Sequence, residues 1–312
     1  MSQPVHVPLI RGRHSRGDQT ARQPKPEWLK VRAPGSENYI RLKGVMREQG
    51  LHTVCEEANC PNIGECWHHG TATFMILGDK CTRACGYCNV VHGRPQAPDP
   101  GEPLRVARAA QAMRLQYVVV TSVDRDDLDD CGASMFAETI RQLRALVPGC
   151  RIEVLIPDFK GSEASLVTVL DARPDVLNHN IETVPRVFKT VRPGGRYDRS
   201  LELLDRARTY RPDIPTKSGL MVGLGEEWDE VVGTLRDLRR SGVSILTLGQ
   251  YLRPSPHHMP VARWWTPGEF AELGAYAESL GFGYVEAGPL VRSSYHAKRA
   301  RSTADAQAVS RV

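Results

Sequence analysis

The sequence is poor in aromatic residues and in long apolar runs. Aromatic residues make up 6% of its 312 residues, and no apolar run approaches the roughly 20 residues that a membrane-spanning helix needs. The N-terminal residues lack the apolar stretch of a signal peptide. The net charge of +5 is too small to favour nucleic-acid binding, although it suits a negatively charged protein partner. We therefore expect a cytoplasmic protein that binds neither membranes nor nucleic acids.

Short apolar segments rich in β-formers alternate with segments of helical periodicity. The apolar segments lie at 73–78, 117–122, 151–156, 175–180, 216–223 and 244–250. This alternation predicts parallel strands joined by helices, and therefore an α/β barrel or a doubly wound sheet. Polar clusters such as TSVDRDD, NHNIET and QYLRPS end several of these strands, and residues at that position line the active site of a parallel barrel. The pattern therefore favours an enzyme.

The eight cysteines are unevenly distributed, since six of them lie between residues 55 and 88. Without an export signal, such clustering favours metal binding over disulfides. Cys131 and Cys150 stand apart, and we interpret them as ordinary buried or partly buried thiols. The other six form two groups of three, in VCEEANCPNIGECW and KCTRACGYCNV. Each group is therefore one thiolate short of a four-cysteine site.

The second group consists of Cys81, Cys85 and Cys88 in the pattern CxxxCxxC. Three thiolates at this spacing bind three irons of a [4Fe–4S] cluster and leave the fourth iron open to a substrate. Tyr87 would lie against whatever binds that iron. A zinc ion is the alternative, although this spacing is unusual for zinc; its fourth ligand would be His68, His69 or His92.

The CTRACGYC loop directly follows the first predicted strand, and in this position it resembles the radical S-adenosylmethionine (SAM) superfamily. The resemblance implies a partial (β/α)6 TIM-type barrel with SAM bound to the open iron of the cluster. It also implies that an electron from the cluster cleaves SAM to methionine and a 5′-deoxyadenosyl radical, which abstracts hydrogen from an unactivated C–H bond. Cys81, Cys85 and Cys88 would then hold the SAM-binding cluster.

Longer motifs narrow the resemblance to the lipoyl synthase family. They include LHTVCEEANCPNIGECW, VVVTSVDRDDL, NHNIETVPR, QYLRPSPHHMPV and the terminal RSSYHA. The resemblance extends from about Lys25 to Ala297 and therefore covers nearly the whole chain. It implies that N- and C-terminal extensions of the barrel carry a second, auxiliary [4Fe–4S] cluster.

The auxiliary cluster would be held by the first group of cysteines, which are Cys55, Cys60 and Cys66. The resemblance implies that a serine of RSSY completes it, by position Ser293. A hydroxyl is a poor ligand for iron compared with thiolate, which suits an iron that must be lost. The alternatives are Ser294 as the ligand, a surface turn with a capping serine, and a zinc ion completed by His52, His68 or His69.

The resemblance implies an enzyme that inserts two sulfur atoms, at carbons six and eight, into an octanoyl chain linked to a lysine of a carrier protein. These carbons offer no acid–base handle, so hydrogen must leave as an atom, and the auxiliary cluster supplies the sulfur. The implied carriers are the H protein of glycine cleavage and the lipoyl domains of 2-oxo acid dehydrogenases. Further implied partners are ferredoxin or flavodoxin as electron donor and iron–sulfur assembly or carrier proteins, and two SAM molecules are used per lipoyl group.

Six further residues are placed by position to contact SAM. The expected contacts are Ser122 and Asp124 to its methionine or ribose, Asn180 and Glu182 to the ribose hydroxyls, and Arg192 and Lys217 to the carboxylate. A structural hydrogen bond or a surface ion pair is the alternative for each. The HHMP segment at 257–260 resembles a metal site, but loop polarity is the simpler interpretation.

These expectations divide the chain into five segments. They are a flexible basic arm (1–36), an N-terminal extension with the auxiliary-cluster cysteines (37–70), the radical SAM partial barrel (71–265), a C-terminal extension with the RSSY motif (266–297) and a disordered tail (298–312). Two other assignments compete with this one. A methylthiotransferase or biotin synthase shares the CxxxCxxC loop but neither the first cysteine group nor RSSYHA, and a zinc-stabilised binding module has no catalytic role.

Overall fold

The computed structural model describes residues 24–30, 40, 43–44, 47, 52–53, 60, 62–68, 70–295 and 297. Cys55 lies outside these ranges, and so do most of the predicted basic arm and the whole of the predicted tail. Within the ranges, none of the helices combines the length and the hydrophobicity that crossing a bilayer requires.

One large sheet organises the described part of the chain. Its strands are β1 (His52–Thr53), β2 (Thr71–Ile76), β5 (Tyr117–Ser122), β6 (Arg151–Leu155), β7 (Val176–Asn178), β8 (Thr216–Val222), β9 (Ile245–Gln250) and β10 (Tyr284–Gly288), hydrogen-bonded in that order. β1 pairs antiparallel with β2, and every other pair is parallel. A separate two-stranded sheet joins β3 (Lys80–Cys81) to β4 (Val91–His92).

Helices lie between successive strands of the large sheet and cover its outer face. They are α1 (Ile63–His68), α2 (Glu102–Ala112), α3 (Ala133–Leu146), α4 (Glu163–Asp171), α5 (Pro185–Val191), α6 (Tyr197–Tyr210), α7 (Trp228–Arg240) and α8 (Pro267–Ser279). The alternation confirms the predicted α/β fold with a partial barrel of parallel strands.

Strand β5 shows how the sequence pattern produces this arrangement. It coincides with the predicted segment 117–122, and its side chains alternate between the two faces of the sheet. Val118 and Val120 pack in the main core with residues of the surrounding helices. Tyr117 and Val119 instead pack against Ala297 near the C-terminus. The last described residue therefore contacts the inner face of the barrel.

The segment 266–297, predicted as a C-terminal extension, begins with one more helix–strand unit. A capping box between Thr266 and Glu269 starts α8, and β10 then pairs in parallel with β9 from Tyr284 to Gly288. The sheet consequently has seven parallel strands, one more than the six predicted units. All five residues of β10 are only half-buried, which explains why its apolar signal is weaker than that of the other strands.

Candidate functional site

A cavity of about 580 Å³ lies at the carboxyl ends of the parallel strands. Its wall includes residues at or just beyond these ends, among them Ser122, Ile156, Asn180 and Gln250. The cysteine loop after β2 forms a second part of the wall, and the segment 291–293 forms a third. The cavity is therefore where a parallel barrel carries its active site.

The loop between β2 and α2 brings all three cysteines of CxxxCxxC to this cavity. Cys81 is held by the pairing of β3 with β4, and its carbonyl accepts a hydrogen bond of 2.9 Å from the amide of Gly93. A turn follows, because the amide of Cys88 donates to the carbonyl of Cys85 at 3.1 Å. Cys81, Cys85 and Cys88 all line the cavity.

These thiols lie in a low-dielectric environment that disfavours their charged form. Burial, with a smaller effect from neighbouring Asp124, raises the pKa of Cys81 to about 11, and burial raises the pKa of Cys85 to about 12. Burial also raises the pKa of Cys88. A bound cationic metal centre would stabilise the thiolates and drive deprotonation. Two backbone amides already point at the Cys81 sulfur, from Arg83 at 3.4 Å and Asp124 at 3.3 Å.

Six of the seven residues predicted to contact SAM line the same cavity. They are Tyr87, Ser122, Asp124, Asn180, Glu182 and Arg192. Three of them offer buried polar atoms with no hydrogen-bond partner within the described part of the chain, namely Oγ of Ser122, Oδ1 of Asp124 and Oδ1 of Asn180. An unpaired buried polar atom is costly, so these atoms fit a cavity that receives a polar ligand.

A buried charged group forms one side of the cavity. Arg192 donates from Nη1 to the carbonyl of Asn180 at 2.9 Å, and the negative groups Glu182 and Asp124 help to raise its pKa against the opposing effect of burial. Burial raises the pKa of Glu182. The charge of Arg192 and the hydrogen bonds from Asn180 and Tyr87 act in the opposite direction and lower it. The arrangement places the cation Arg192 beside the carboxyl group of Glu182 at the cavity wall, which suits a zwitterionic molecule.

Lys217 is the one predicted SAM contact that the structure does not bring to the cavity. It is the second residue of β8, and its ammonium group lies 2.9 Å from Oε1 and 3.2 Å from Oε2 of Glu153. Both side chains are buried, and the hydroxyl of Tyr117 and the amide of Asn178 also donate to Glu153, each at 2.9 Å. Lys217 therefore neutralises a carboxylate inside the barrel, well before its strand reaches the cavity.

Two residues of the first cysteine group are described. Cys60 lies just before α1, and Cys66 lies within this helix. Ile63 and Trp67 anchor this helix in the main core, and they lie on one face because helical residues four apart do so. Burial, together with Cys60 and Glu65, raises the pKa of the Cys66 thiol to about 12. The Cys66 thiol is therefore protonated in the metal-free protein, as the thiols of the second group are.

The RSSY segment reaches the cavity from the far end of the chain. Gly249 of β9 lets it approach, because a Cβ at this position would lie 2.2 Å from the carbonyl oxygen of Val291. Arg292 then donates to the carbonyls of Val291 at 2.7 Å and Gln250 at 3.3 Å. Ser293 follows and lines the cavity.

Of the histidines offered as zinc ligands, His92 is the one whose side chain belongs to the described part of the chain. The side chains of His52, His68 and His69 lie outside the described residues, and His92 is exposed on β4. In the HHMP segment, His258 lies 2.9 Å through Nε2 from the carbonyl of Cys88 and 2.8 Å through Nδ1 from the hydroxyl of Ser255. This segment therefore supports the backbone of the cysteine loop, a role that loop polarity alone does not indicate.

An ion-pair network around Arg83 has no counterpart among the sequence predictions. Arg83 lies between Cys81 and Cys85, is buried, and contacts Asp126 and Asp158 at 2.7 Å and Asp124 at 3.4 Å. The position of Asp158 just beyond the end of β6 indicates a site residue, because the residues predicted to contact SAM also lie at or beyond the ends of strands. The partnership itself connects residues 43 and 75 positions apart and is not visible in the sequence.

Comparison with known families identifies two regions of similarity. Residues 75–238 match the model of the Radical SAM superfamily, and residues 9–60 match that of the N-terminal domain of lipoyl synthase of the Radical SAM family. A lipoyl synthase of Rubrobacter xylanophilus is 58% identical over 92% of this chain and 87% of its own. A lipoyl synthase of Acidithiobacillus ferrooxidans is 56% identical over 90% of this chain and 89% of its own.

Solved structures share the fold at low sequence identity. Methylornithine synthase superposes with a TM-score of 0.52 at 12% identity, covering 81% of this chain and 83% of its own. TYW1 with a lysine–pyruvate adduct bound superposes with a TM-score of 0.51 at 12% identity, covering 79% and 90%. At this identity the likeness concerns the fold alone.

Proposed function

The chain belongs to the lipoyl synthase family of the radical SAM superfamily, and on that premise we propose which of its residues carry out the reaction. A lipoyl synthase inserts two sulfur atoms, at carbons six and eight, into a protein-bound octanoyl chain. As a radical SAM enzyme it uses a [4Fe–4S] cluster and SAM.

We propose that Cys81, Cys85 and Cys88 hold the SAM-binding cluster. All three line one cavity, and burial raises their pKa values, so a metal centre would have to displace their protons on binding. The cluster, when bound, supplies the electron that cleaves SAM and so generates the radical that removes hydrogen from the octanoyl chain. The amides of Arg83 and Asp124 donate to the Cys81 sulfur and stabilise its negative charge.

We propose that SAM binds beside this loop, held by six of the residues identified from the sequence. The guanidinium of Arg192 neutralises its carboxylate, because it is a buried cation at the cavity wall. Glu182 and Asn180 bond the ribose hydroxyls, and the free oxygen of Asn180 makes this amide a ready acceptor. Ser122 and Asp124 bond the methionine or ribose, and Tyr87 packs against the ligand.

We propose that Cys55, Cys60 and Cys66 hold the auxiliary cluster and that Ser293 is its fourth ligand. When bound, this cluster supplies the two sulfur atoms. Ser293 lines the cavity, and a hydroxyl binds iron less firmly than a thiolate does, so it is the ligand that can leave when the cluster is dismantled. In this proposal the extension 37–70 and the end of the segment 266–297 together carry the cluster, and two SAM molecules are used per lipoyl group.

The cavity also suits an extended alkyl chain. Apolar side chains contribute to its lining, among them Met75, Leu155, Leu220 and Met221, and burial of each methylene of an octanoyl group contributes about 0.8 kcal/mol. Lys25 and Arg253 also line it and would favour an acidic carrier. We propose as carriers the H protein of glycine cleavage and the lipoyl domains of 2-oxo acid dehydrogenases.

The observation that carries the proposal is that all three cysteines of CxxxCxxC and Ser293 line one cavity with six polar residues suited to SAM. The test is an anaerobic reaction of the iron-loaded protein with an octanoyl-lysine peptide, SAM and dithionite. We expect a lipoyl peptide and 5′-deoxyadenosine in a ratio of one to two. A reaction that yields neither product would overturn the assignment of these residues.

A further inference from the structure

We propose that Tyr295 and Asn62 form a clasp between α1 and the C-terminal turn, and that this clasp positions Ser293 over Cys60 and Cys66. The clasp consists of two contacts, Tyr295 to Glu65 and Asn62 to the carbonyl of Leu290. This inference rests on the proposed auxiliary cluster and deepens it. Tyr295 and Asn62 act as positioning residues, because neither contacts the reacting atoms.

The first contact connects two side chains that are 230 positions apart in the sequence. The hydroxyl of Tyr295 lies 3.2 Å from Oε2 and 3.4 Å from Oε1 of Glu65, the residue directly before Cys66. The hydroxyl donates to this carboxylate, because a carboxylate oxygen can only accept. The side chain that follows the two serines is thereby tied to the helix that carries Cys66.

The second contact lies on the other side of the serines. Asn62 is buried and donates from Nδ2 to the carbonyl of Leu290 at 2.8 Å, across 228 positions of sequence. Asn62 is itself fixed at the start of α1, because its carbonyl accepts a hydrogen bond of 2.9 Å from the amide of Cys66. The segment 290–295 is therefore attached to the first cysteine group at both of its ends.

The backbone between these two contacts is a tight turn with the serines at its centre. The amide of Tyr295 donates to the carbonyl of Arg292 at 2.9 Å, so Ser293 and Ser294 are the two central residues. The hydrogen bonds of Arg292 to Val291 and Gln250 hold the start of this turn against β9. Fixing Tyr295 and Arg292 thus fixes the backbone that carries the Ser293 hydroxyl.

A serine hydroxyl binds iron weakly, so its binding depends on how much conformational entropy the turn loses when iron binds. A turn held by contacts of its own has already lost most of its conformational entropy before iron binds. Because the turn is already ordered, Ser293 binds iron more tightly than it would from a disordered segment. When Ser293 leaves the iron, the rest of the turn stays ordered. The clasp accounts for how a poor ligand can both complete a cluster and be exchanged.

The clasp is tested first in the metal-free protein, by hydrogen exchange of the amides in 290–295. We expect Tyr295→Phe and Asn62→Ala each to speed this exchange about fivefold, since one hydrogen bond contributes about 1 kcal/mol. The matched control is Tyr210→Phe, which removes an exposed phenol bonded to Asp171 at 3.0 Å, and it should leave 290–295 unchanged. Wild-type exchange rates in both clasp variants would overturn the clasp.

The positioning role is tested separately, in a background where Cys81, Cys85 and Cys88 are all replaced by alanine, so that only the auxiliary cluster can form. We expect Tyr295→Phe to lose iron to a chelator about fivefold faster than Tyr210→Phe, and the electron paramagnetic resonance spectrum of its reduced cluster to shift toward that of Ser293→Ala. Faster hydrogen exchange with unchanged iron loss and spectrum would overturn the positioning role. A background protein that binds no iron would overturn the proposed auxiliary cluster, and the positioning role with it, while the exchange result would still stand for the clasp.

Discussion

The guanidinium of Arg83 lies 2.7 Å from the buried carboxylate of Asp158, and this contact ties the cysteine loop to the end of β6. Two more hydrogen bonds, of 2.7 and 2.8 Å, connect the same guanidinium to Asp126 beyond β5. The loop that presents Cys81 and Cys85 therefore rests on the ends of two neighbouring strands. Hydrogen bonds from Arg83 and its positive charge hold the pKa of Asp158 at about 2 against the effect of burial.

Replacing Arg83 by methionine should remove the SAM-binding cluster. The change leaves Asp158 buried without its principal partner, and breaking a buried ion pair costs about 3–5 kcal/mol. Iron is counted in a Cys66→Ala background, where only the SAM-binding cluster is expected to form. Arg94→Met is the control, since Arg94 is an exposed residue of the same loop. Equal iron content in both variants would contradict the role given to Arg83.

Acid should destabilise the protein partly through His179. This residue is fully buried, and burial together with nearby Arg192 lowers its pKa from 6.5 to about 4. Between these values the unfolded chain binds a proton that the folded chain does not, so the free energy of unfolding falls by about 3 kcal/mol as pH falls through this window. Urea unfolding between pH 6.5 and 4.5 should show a shallower pH dependence for His179→Gln than for wild type. The exposed His257 supplies the control variant His257→Gln, and a pH dependence in His179→Gln as steep as this control's would contradict the assignment.

Lys217→Met should destabilise the fold while leaving SAM binding intact. The variant leaves Glu153 buried without its cation, at a cost of about 3–5 kcal/mol in the free energy of unfolding. Lys217→Met/Glu153→Leu should recover much of that loss, because both charges are then absent. SAM affinity, measured by calorimetry on folded, iron-loaded protein, should match wild type for Lys217→Met and fall for Arg192→Met. A loss of affinity in both variants would reinstate Lys217 as a SAM contact.

Gly249→Ala should displace the RSSY segment and release iron from the auxiliary cluster only. The new Cβ would lie 2.2 Å from a backbone oxygen of Val291, and backbone cannot move aside as a flexible side chain can. Iron analysis should therefore show about half of the wild-type content, with the SAM-binding cluster retained. Gly233→Ala is the matched control, because nothing lies within 4 Å of a Cβ at that position of α7. Unchanged iron in Gly249→Ala would contradict the close approach described above.

Local sequence patterns predict the strands and the polar residues that follow them. β5 matches its predicted segment because four apolar residues with high β-propensity begin it. The predicted SAM contacts Ser122 and Asn180 lie at or beyond the ends of their strands, where the pattern placed them. The prediction for Lys217 rests on its polarity, whereas its depth in the strand points elsewhere: as the second residue of β8 it precedes the cavity by several residues and pairs with Glu153.

Contacts between distant residues mark the limit of sequence reasoning. The bond from Arg83 to Asp158 and the contact of Tyr295 with Glu65 depend on how strands and chain ends meet in space. Arg83 and Tyr295 lie in the CTRACGYC and RSSY motifs, but neither motif indicates which carboxylate its residue contacts. The close approach at Gly249 is hidden in the same way, since a glycine in a strand does not indicate what packs against it.

In the proposed reaction, the cluster held by the first cysteine group supplies the sulfur that enters the product. The most direct test is an anaerobic single turnover with protein whose clusters were reconstituted with 34S sulfide, using an octanoyl-lysine peptide, SAM and dithionite. Mass spectrometry of the lipoyl peptide should find two heavy sulfur atoms, and Cys66→Ala should cleave SAM but form no lipoyl peptide. A lipoyl peptide that contains only natural-abundance sulfur, or one formed at the wild-type rate by Cys66→Ala, would contradict the claim.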